Sequence, residues 1–154
     1  MDIVSPTVRS RMMSGIRGKN TRPELLIRRI LFAAGYRFRL HRKDLPGTPD
    51  IVLSKYRAVI FIHGCFWHMH DGCRFAKIPS SRKQFWRRKL AGNRERDRRS
   101  IDELMAAGWR VLVVWECMTR SETSCNALSQ RLDSWLQGRR QFAELPAPIR
   151  KSRG

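Results

Sequence analysis

The stretch FIHGCFWHMHDGC, residues 61–73, places three histidines and two cysteines within thirteen positions. Cys65, His70 and Cys73 are spaced C-x4-H-x2-C. Thiolate and imidazole are the donors Zn²⁺ prefers in closed, tetrahedral structural sites. A further ligand must come from elsewhere in the chain. Cys117 suits, because it follows the apolar run 109–116, whose end would lie beside that of 57–62 if the two were neighbouring strands. Cys125, inside a helical pattern, is its rival and otherwise a small core residue. Such a site would clip the irregular 63–80 loop to a sheet. Buried thiols clustered without a metal are the plain alternative.

His63 and His68 are left over from that count. Asp50 opens an apolar β-type run, where aspartate is disfavoured. A hard cation such as Mg²⁺, commonly held by one or two carboxylates with water and substrate phosphate, would account for it. A turn-capping role after Pro49 would account for it too. If 50–54 and 57–62 pair as a hairpin, Asp50 and His63 meet at one end. A carboxylate-held metal beside an imidazole is what phosphodiester hydrolysis needs. On a helix, Asp97 shares a face with Ile101 and Leu104, so it points inward and could orient His68. An aspartate solvated among arginines is the other reading. Glu24 lies three residues after Thr21, and capping explains it fully.

The elements that must hold these residues are legible in outline. A helix is expected over 21–35, capped by Thr21, with Pro23 in its first turn and Gly35 at its end. Residues 36–41 alternate like a strand, and 43–50 are turn-rich. Strands follow at 50–54 and 57–62. The segment 81–108 reads as a helix with a break expected at Gly92–Asn93, 109–116 as a buried strand, and 121–138 as an amphipathic helix. The order α-β-β-β-α-β-α suits an α/β sandwich with a small mixed sheet flanked by helices. The organisation expected is a basic N-terminal arm over 1–20, a catalytic domain over 21–138 and a basic, mobile tail over 139–154.

The chain has 154 residues, one domain's worth, and carries 32 Lys and Arg against 13 Asp and Glu, a net charge of +19. So large an excess calls for a polyanion, and nucleic acid binds such surfaces through phosphate contacts and counterion release. No run reaches transmembrane length and no secretion signal opens the chain, so an intracellular, cytoplasmic and nucleoid-associated protein is expected, with no membrane partner. In that reducing compartment the four cysteines are ligands or free thiols, not disulfides. The density of base in 82–99 fits a phosphate track, with Arg82, Lys83, Arg87, Lys89 and Arg94 as contacts, or else a merely solvated face. Phe66 and Trp67 either pack onto the sheet or stand out to wedge between base pairs, and Met12–Met13 could do the same from the other groove.

The segments SRMMSGIRGKNTRPE, LPGTPDIVL, AVIFIHGCFWHMHDGC and NRERDRRSIDELMAAGWRVLVVWEC resemble the very-short-patch-repair (Vsr) DNA mismatch endonucleases, in order over most of 9–136. The resemblance implies a restriction-endonuclease-like fold, a three-layer α/β sandwich with a structural zinc. It implies Mg²⁺-dependent nicking of double-stranded DNA 5′ to the thymine of a T·G mismatch left by deamination of 5-methylcytosine. Carried over by motif, Asp50 and the Ile62 carbonyl would hold Mg²⁺. His63, His68 and Asp97 would complete the site, His68 activating water and Glu24 serving as an accessory acid. Cys65, His70, Cys73 and Cys117 would hold zinc. Phe66 and Trp67 would intercalate, with Met13 assisting across the groove. A monomer acting on mismatched duplex, with mismatch-repair proteins as further partners, is expected.

Where the broader nuclease superfamily has PD…(D/E)xK, this chain has Pro49–Asp50 and then Phe61-Ile62-His63, which moves the burden onto the histidines. Ile62 stands where threonine is expected, a change a backbone ligand tolerates, and Asp71–Gly72 separates His70 from Cys73. A restriction-type nuclease on another DNA substrate and a non-enzymatic, zinc-stabilised nucleic-acid-binding module are the rival functions.

Overall fold

The computed structural model describes residues 20–148. Helix α1 (Arg22–Ala33) starts where its signals place it: Thr21 Oγ1 accepts from the Glu24 amide, and Gly35 follows the helix with φ +92°. Strand β1 (Arg39–Leu40) is shorter than the alternation over 36–41 suggests. The reason is Tyr36. Its amide still bonds to Leu31 of the helix end, and its hydroxyl donates to Asp133 at 2.6 Å, so this residue anchors a helix end.

Strands β2 (Ile51–Leu53) and β3 (Ala58–His63) form the expected antiparallel hairpin, with Ile51 opposite Ile60. Helix α2 (Lys83–Ala106) runs unbroken through Gly92–Asn93, against the expected break. A single helical glycine costs only about 1 kcal/mol relative to alanine. Buried Leu90 and Leu104 hold the helix on either side of it. Strand β4 (Arg110–Trp115) and helix α3 (Glu122–Gln137) follow.

The stretch expected to be a mobile tail from 139 supplies a fifth strand, β5 (Phe142–Leu145), parallel to β4. Leu145 is buried and the Glu144 carboxylate accepts from the Trp115 indole at 3.3 Å, so these residues complete the core. The ordered sheet therefore extends past 138. Helix and strand lengths are otherwise close to expectation, while most of the expected arm, residues 1–19, lies outside the described residues.

The sheet order is β1-β2-β3-β4-β5, antiparallel on one side of β3 and parallel on the other. Both faces are covered. Ile27 and Leu31 of α1 and Leu128, Leu132 and Leu136 of α3 pack with Ile51, Ile60, Leu112 and Val114. On the opposite face, Leu104 of α2 packs with Val52, Val59, Phe61 and Val111. The fold is three layers, helix on sheet on helix, with a mixed central sheet. Leu132 is fully inside the larger core, so Leu132→Ala should cost about 2–5 kcal/mol. The check is the urea midpoint at unchanged m-value. A loss below about 1 kcal/mol would mean that α3 does not close the core as described.

Candidate active site and metal centre

β3 and β4 run parallel with His63 opposite Trp115, so both strands deliver their C-terminal ends to one edge of the sheet. From β3 the chain enters the loop carrying Cys65, His68, His70 and Cys73. From β4 it enters a single 3₁₀ turn, Glu116–Thr119, carrying Cys117. One ligand atom from each of Cys65, His70, Cys73 and Cys117 lies within 4.8 Å of the others, which brings the three residues expected from their spacing together with the cysteine expected from the neighbouring strand. The rival Cys125 is elsewhere, its thiol donating to the Thr119 carbonyl at 3.2 Å.

The chemistry of this donor set fits a soft dication. Burial pushes the Cys65 thiol well above its ordinary range and raises that of Cys117, so bare thiolates there would be costly. A bound cation removes that cost, since a coordinated thiol is deprotonated outright. The Cys117 amide already donates to Cys65 Sγ at 3.3 Å. His70 lies flat against Trp115, centroids 4.2 Å apart, and burial lowers its proton affinity, leaving a nitrogen lone pair for a ligand role.

Trp115 divides this centre from a second cluster. Its ring meets His70 face-on and His63 edge-on, the latter at 5.3 Å. His63, 6% exposed, is held neutral: burial, then nearby His68, pushes its pKa well below the usual histidine range. The His63 and His68 rings stack at 3.9 Å, within 5° of parallel. His68 Nδ1 meets Asp97 Oδ2 at 2.5 Å, as the inward face of α2 anticipated. A carboxylate on Nδ1 fixes the tautomer and leaves Nε2 as the free proton acceptor.

Asp50 stands at the mouth of β2. Its Oδ2 accepts from the Ile62 amide at 2.7 Å, which ties it to the end of β3 and leaves Oδ1 for other work. The turn before it is packed tightly: a Cβ on Gly47 (φ +73°) would come within 2.7 Å of Ser100 Cβ on α2, so only glycine fits. Burial raises the Asp50 pKa to about 7, against the Ile62 hydrogen bond, and the charge of Glu24 adds to the rise. Capping does not exhaust Glu24, contrary to expectation. It is 2% exposed, bonds Arg28 at 2.5 Å and makes a short contact with His41 Nε2. Two carboxylates this close, one of them reluctant to ionise, suit a hard cation between them.

His41 went unremarked in the sequence. The signal was there in principle: β1 pairs with β2 so that Leu40 faces Ile51, which puts the next residue opposite Asp50. The His41 amide donates to the Asp50 carbonyl at 3.2 Å, and its ring nitrogen lies 3.9 Å from Asp50 Oδ1. One open cavity is lined by His41, Asp50, Ile62, His63, His68 and Asp97, and Lys89 and Trp67 also border it.

Phe66 and Trp67 are half-buried. Both meet Trp86 of α2 edge-to-face, at 5.4 and 6.0 Å, and each other at 5.1 Å. Asn93 donates to the Trp67 carbonyl at 3.1 Å, pinning the loop to the helix. Arg82, just before α2, and Lys83, Arg87 and Lys89 along it are exposed, as is Arg94, whose guanidinium bonds Asp71 at 2.8 Å. Met13 lies outside the described residues. Among the described residues, no helix is long and apolar enough to cross a membrane.

A family model described as DNA mismatch endonuclease Vsr matches residues 1–74. The type II nicking enzyme V.XorIIP of Xanthomonas oryzae pv. oryzae is 56% identical over 116 residues, covering 75% of this chain and 85% of that protein. The DNA mismatch endonuclease Vsr of Escherichia coli (strain K12) is 42% identical over 146 residues, 94% of this chain and 93% of that protein. The type II nicking enzyme V.NmeAIP of Neisseria meningitidis is 45% identical over 131 residues, 85% of this chain and 93% of that protein.

The Asp50 environment has a consequence for stability. Its folded pKa of about 7 lies above the ordinary value of 3.8, so between those limits the folded state holds a proton that the unfolded state has released. Stability contributed by the protonated carboxyl is therefore lost as pH rises through that window. In metal-free protein, Asp50→Asn should gain stability relative to wild type from pH 4 to pH 7, and the gap should level off above. Parallel urea-unfolding curves with a pH-independent gap would show that Asp50 is not suppressed in this way.

Proposed function

The chain belongs to the DNA mismatch endonuclease Vsr family, and from that membership we propose that it nicks duplex DNA 5′ to the thymine of a T·G mismatch by Mg²⁺-dependent hydrolysis. The observation that carries this reading is the single cavity where Asp50, His63, His68 and Asp97 converge beside an aromatic cluster. The three-layer fold is then read as restriction-endonuclease-like, and the Cys65, His70, Cys73 and Cys117 centre as structural zinc.

Asp50 Oδ1 and the Ile62 carbonyl would hold Mg²⁺, which supplies neutralisation of the scissile phosphate and lowers the pKa of water near it. The Ile62 amide fixes the Asp50 carboxylate, so it needs little rearrangement to serve. His68 takes the proton from the attacking water at Nε2. Asp97 on Nδ1 then stabilises the imidazolium, the role an acid plays toward a catalytic histidine. His63 contributes a neutral ring: stacked on His68, it fixes that plane without adding a second positive charge. Glu24 is an accessory acid, placed by Arg28 and His41.

Mismatch selection follows from unstacking. Phe66 and Trp67, backed by Trp86, form the wedge, and opening a stack costs least at a mispair. Arg82, Lys83, Arg87 and Lys89 contact phosphates. Arg94 joins them by exchanging Asp71 for a phosphate oxygen. Part of the selectivity is thus DNA deformability.

The substrate test uses Mg²⁺ and labelled oligonucleotides: T·G-mismatched duplex, matched duplex and single strand. Nicking of the mismatched duplex alone is expected, with Asp50→Ala binding it but cutting at least about 100-fold more slowly. Equal cutting of matched duplex would support a restriction-type nuclease, and no cutting of any would leave a binding module. For the metal centre, Cys117→Ser should lose bound zinc and unfold at lower urea, while Cys125→Ser keeps both. The reverse pattern by elemental analysis would move the ligand to Cys125.

A further inference from the structure

The motif reading left out His41, yet three donors meet around it. Its Nε2 faces Glu24 Oε1 in a short contact and stands 3.9 Å from Asp50 Oδ1. Ligand atoms of Glu24, His41 and Asp50 all lie within 4.8 Å of one another. The cluster lies beside, and separate from, the His63–His68–Asp97 group.

A hydrogen bond explains only part of this. A proton on Nε2 can point at one acceptor. Given to Glu24, it leaves Asp50 Oδ1 without a donor, because the Ile62 amide serves Oδ2. Arg28 reaches the same Glu24 oxygen, Oε1, that His41 contacts. A dication satisfies an imidazole nitrogen and two carboxylate oxygens together. The backbone is arranged to deliver the ring: His41 has φ +47°, a region that costs non-glycine residues energy. β1 ends at the residue before, so the chain turns there and the ring faces the cavity.

We propose that His41 is a metal-specificity residue, an imidazole ligand that joins Asp50 and Glu24 in holding the catalytic cation and widens the site's choice from Mg²⁺ toward Mn²⁺. This rests on Asp50 being the metal carboxylate. Mg²⁺ demands oxygen donors and near-ideal octahedral geometry, whereas first-row transition ions accept imidazole. The nitrogen therefore strengthens Mn²⁺ binding and leaves Mg²⁺ binding nearly unchanged.

The test uses the full chain with its cysteine centre zinc-loaded and Mn²⁺ as the probe, without DNA. Free Mn²⁺ is titrated by electron paramagnetic resonance, Mg²⁺ affinity is taken by competition, and bound Mn²⁺ is examined for directly coordinated ¹⁴N by spin-echo modulation. Wild type should show the nitrogen signal. His41→Gln should lose it and bind Mn²⁺ about tenfold more weakly, while Mg²⁺ affinity changes by less than about threefold. His68→Gln should keep the signal. A nitrogen signal that survives in His41→Gln, or bound Mn²⁺ with no nitrogen signal in wild type, would overturn the proposal and leave His41 as a partner of Glu24 alone. Asp50→Asn separates the two levels. If it abolishes Mn²⁺ binding while His41→Gln has no effect, only the role of His41 falls. If Mn²⁺ binds Asp50→Asn as it binds wild type, the Asp50 metal site falls with it.

Discussion

Because β3 runs parallel to β4, with His63 opposite Trp115, both strands release the chain at the same edge of the sheet. An antiparallel pairing would send Cys117 to the far edge, away from Cys65. The parallel arrangement needs a crossover, and α2 supplies it, lying on the sheet face through Leu104. The one helix that makes the topology possible also delivers Asp97 to His68. The hairpin then adds its own contribution, since antiparallel pairing of β2 with β3 returns Asp50 to the same edge. Three connections of different kinds thus converge on a few ångströms, at the C-terminal ends of sheet strands where α/β proteins commonly place ligands.

Charge in this region is handled by burial as much as by pairing. The protein carries a net charge of +19, yet the cavity gathers Asp50, Asp97, His41, His63 and His68, with Lys89 at its border. Burial suppresses charge on Asp50, His63 and the Cys65 thiol alike, so each gains from a cation or loses little without a proton. The other basic residues of α2 are largely exposed, where a polyanion can neutralise them, and Lys89 stands at the border of the cavity.

What could be read from sequence was whatever depended on short-range periodicity. The C-x4-H-x2-C spacing, the inward face of Asp97 and the Asp50–His63 hairpin all follow from local rules. Cys117 required one guess about strand neighbours. His41 escaped because its relation to Asp50 depends on the β1–β2 register across an irregular turn, whose tightness is set by Gly47 against Ser100 on another element. β5 escaped because four residues flanked by basic and proline-rich sequence carry no strand pattern. Only the open edge of β4 and the Trp115–Glu144 bond make them one. The expected break in α2 misjudged Asn93, which is weak as a helix former but is held there by the Trp67 carbonyl.

That unbroken helix has a mechanical consequence. Asn93 and Asp97 are one turn apart on the same face, and they grip adjacent loop residues, Trp67 and His68. The helix is a strut with two clamps, one on the backbone of Trp67 and one on the imidazole of His68. Trp67 and His68 are neighbours in the chain, so a displacement of one against the strut loads the other without any relay through the sheet. It also makes spacing intolerant of change. One residue inserted between the clamps would rotate one of them about 100° further from the other around the helix axis, and the two grips would no longer meet adjacent loop residues.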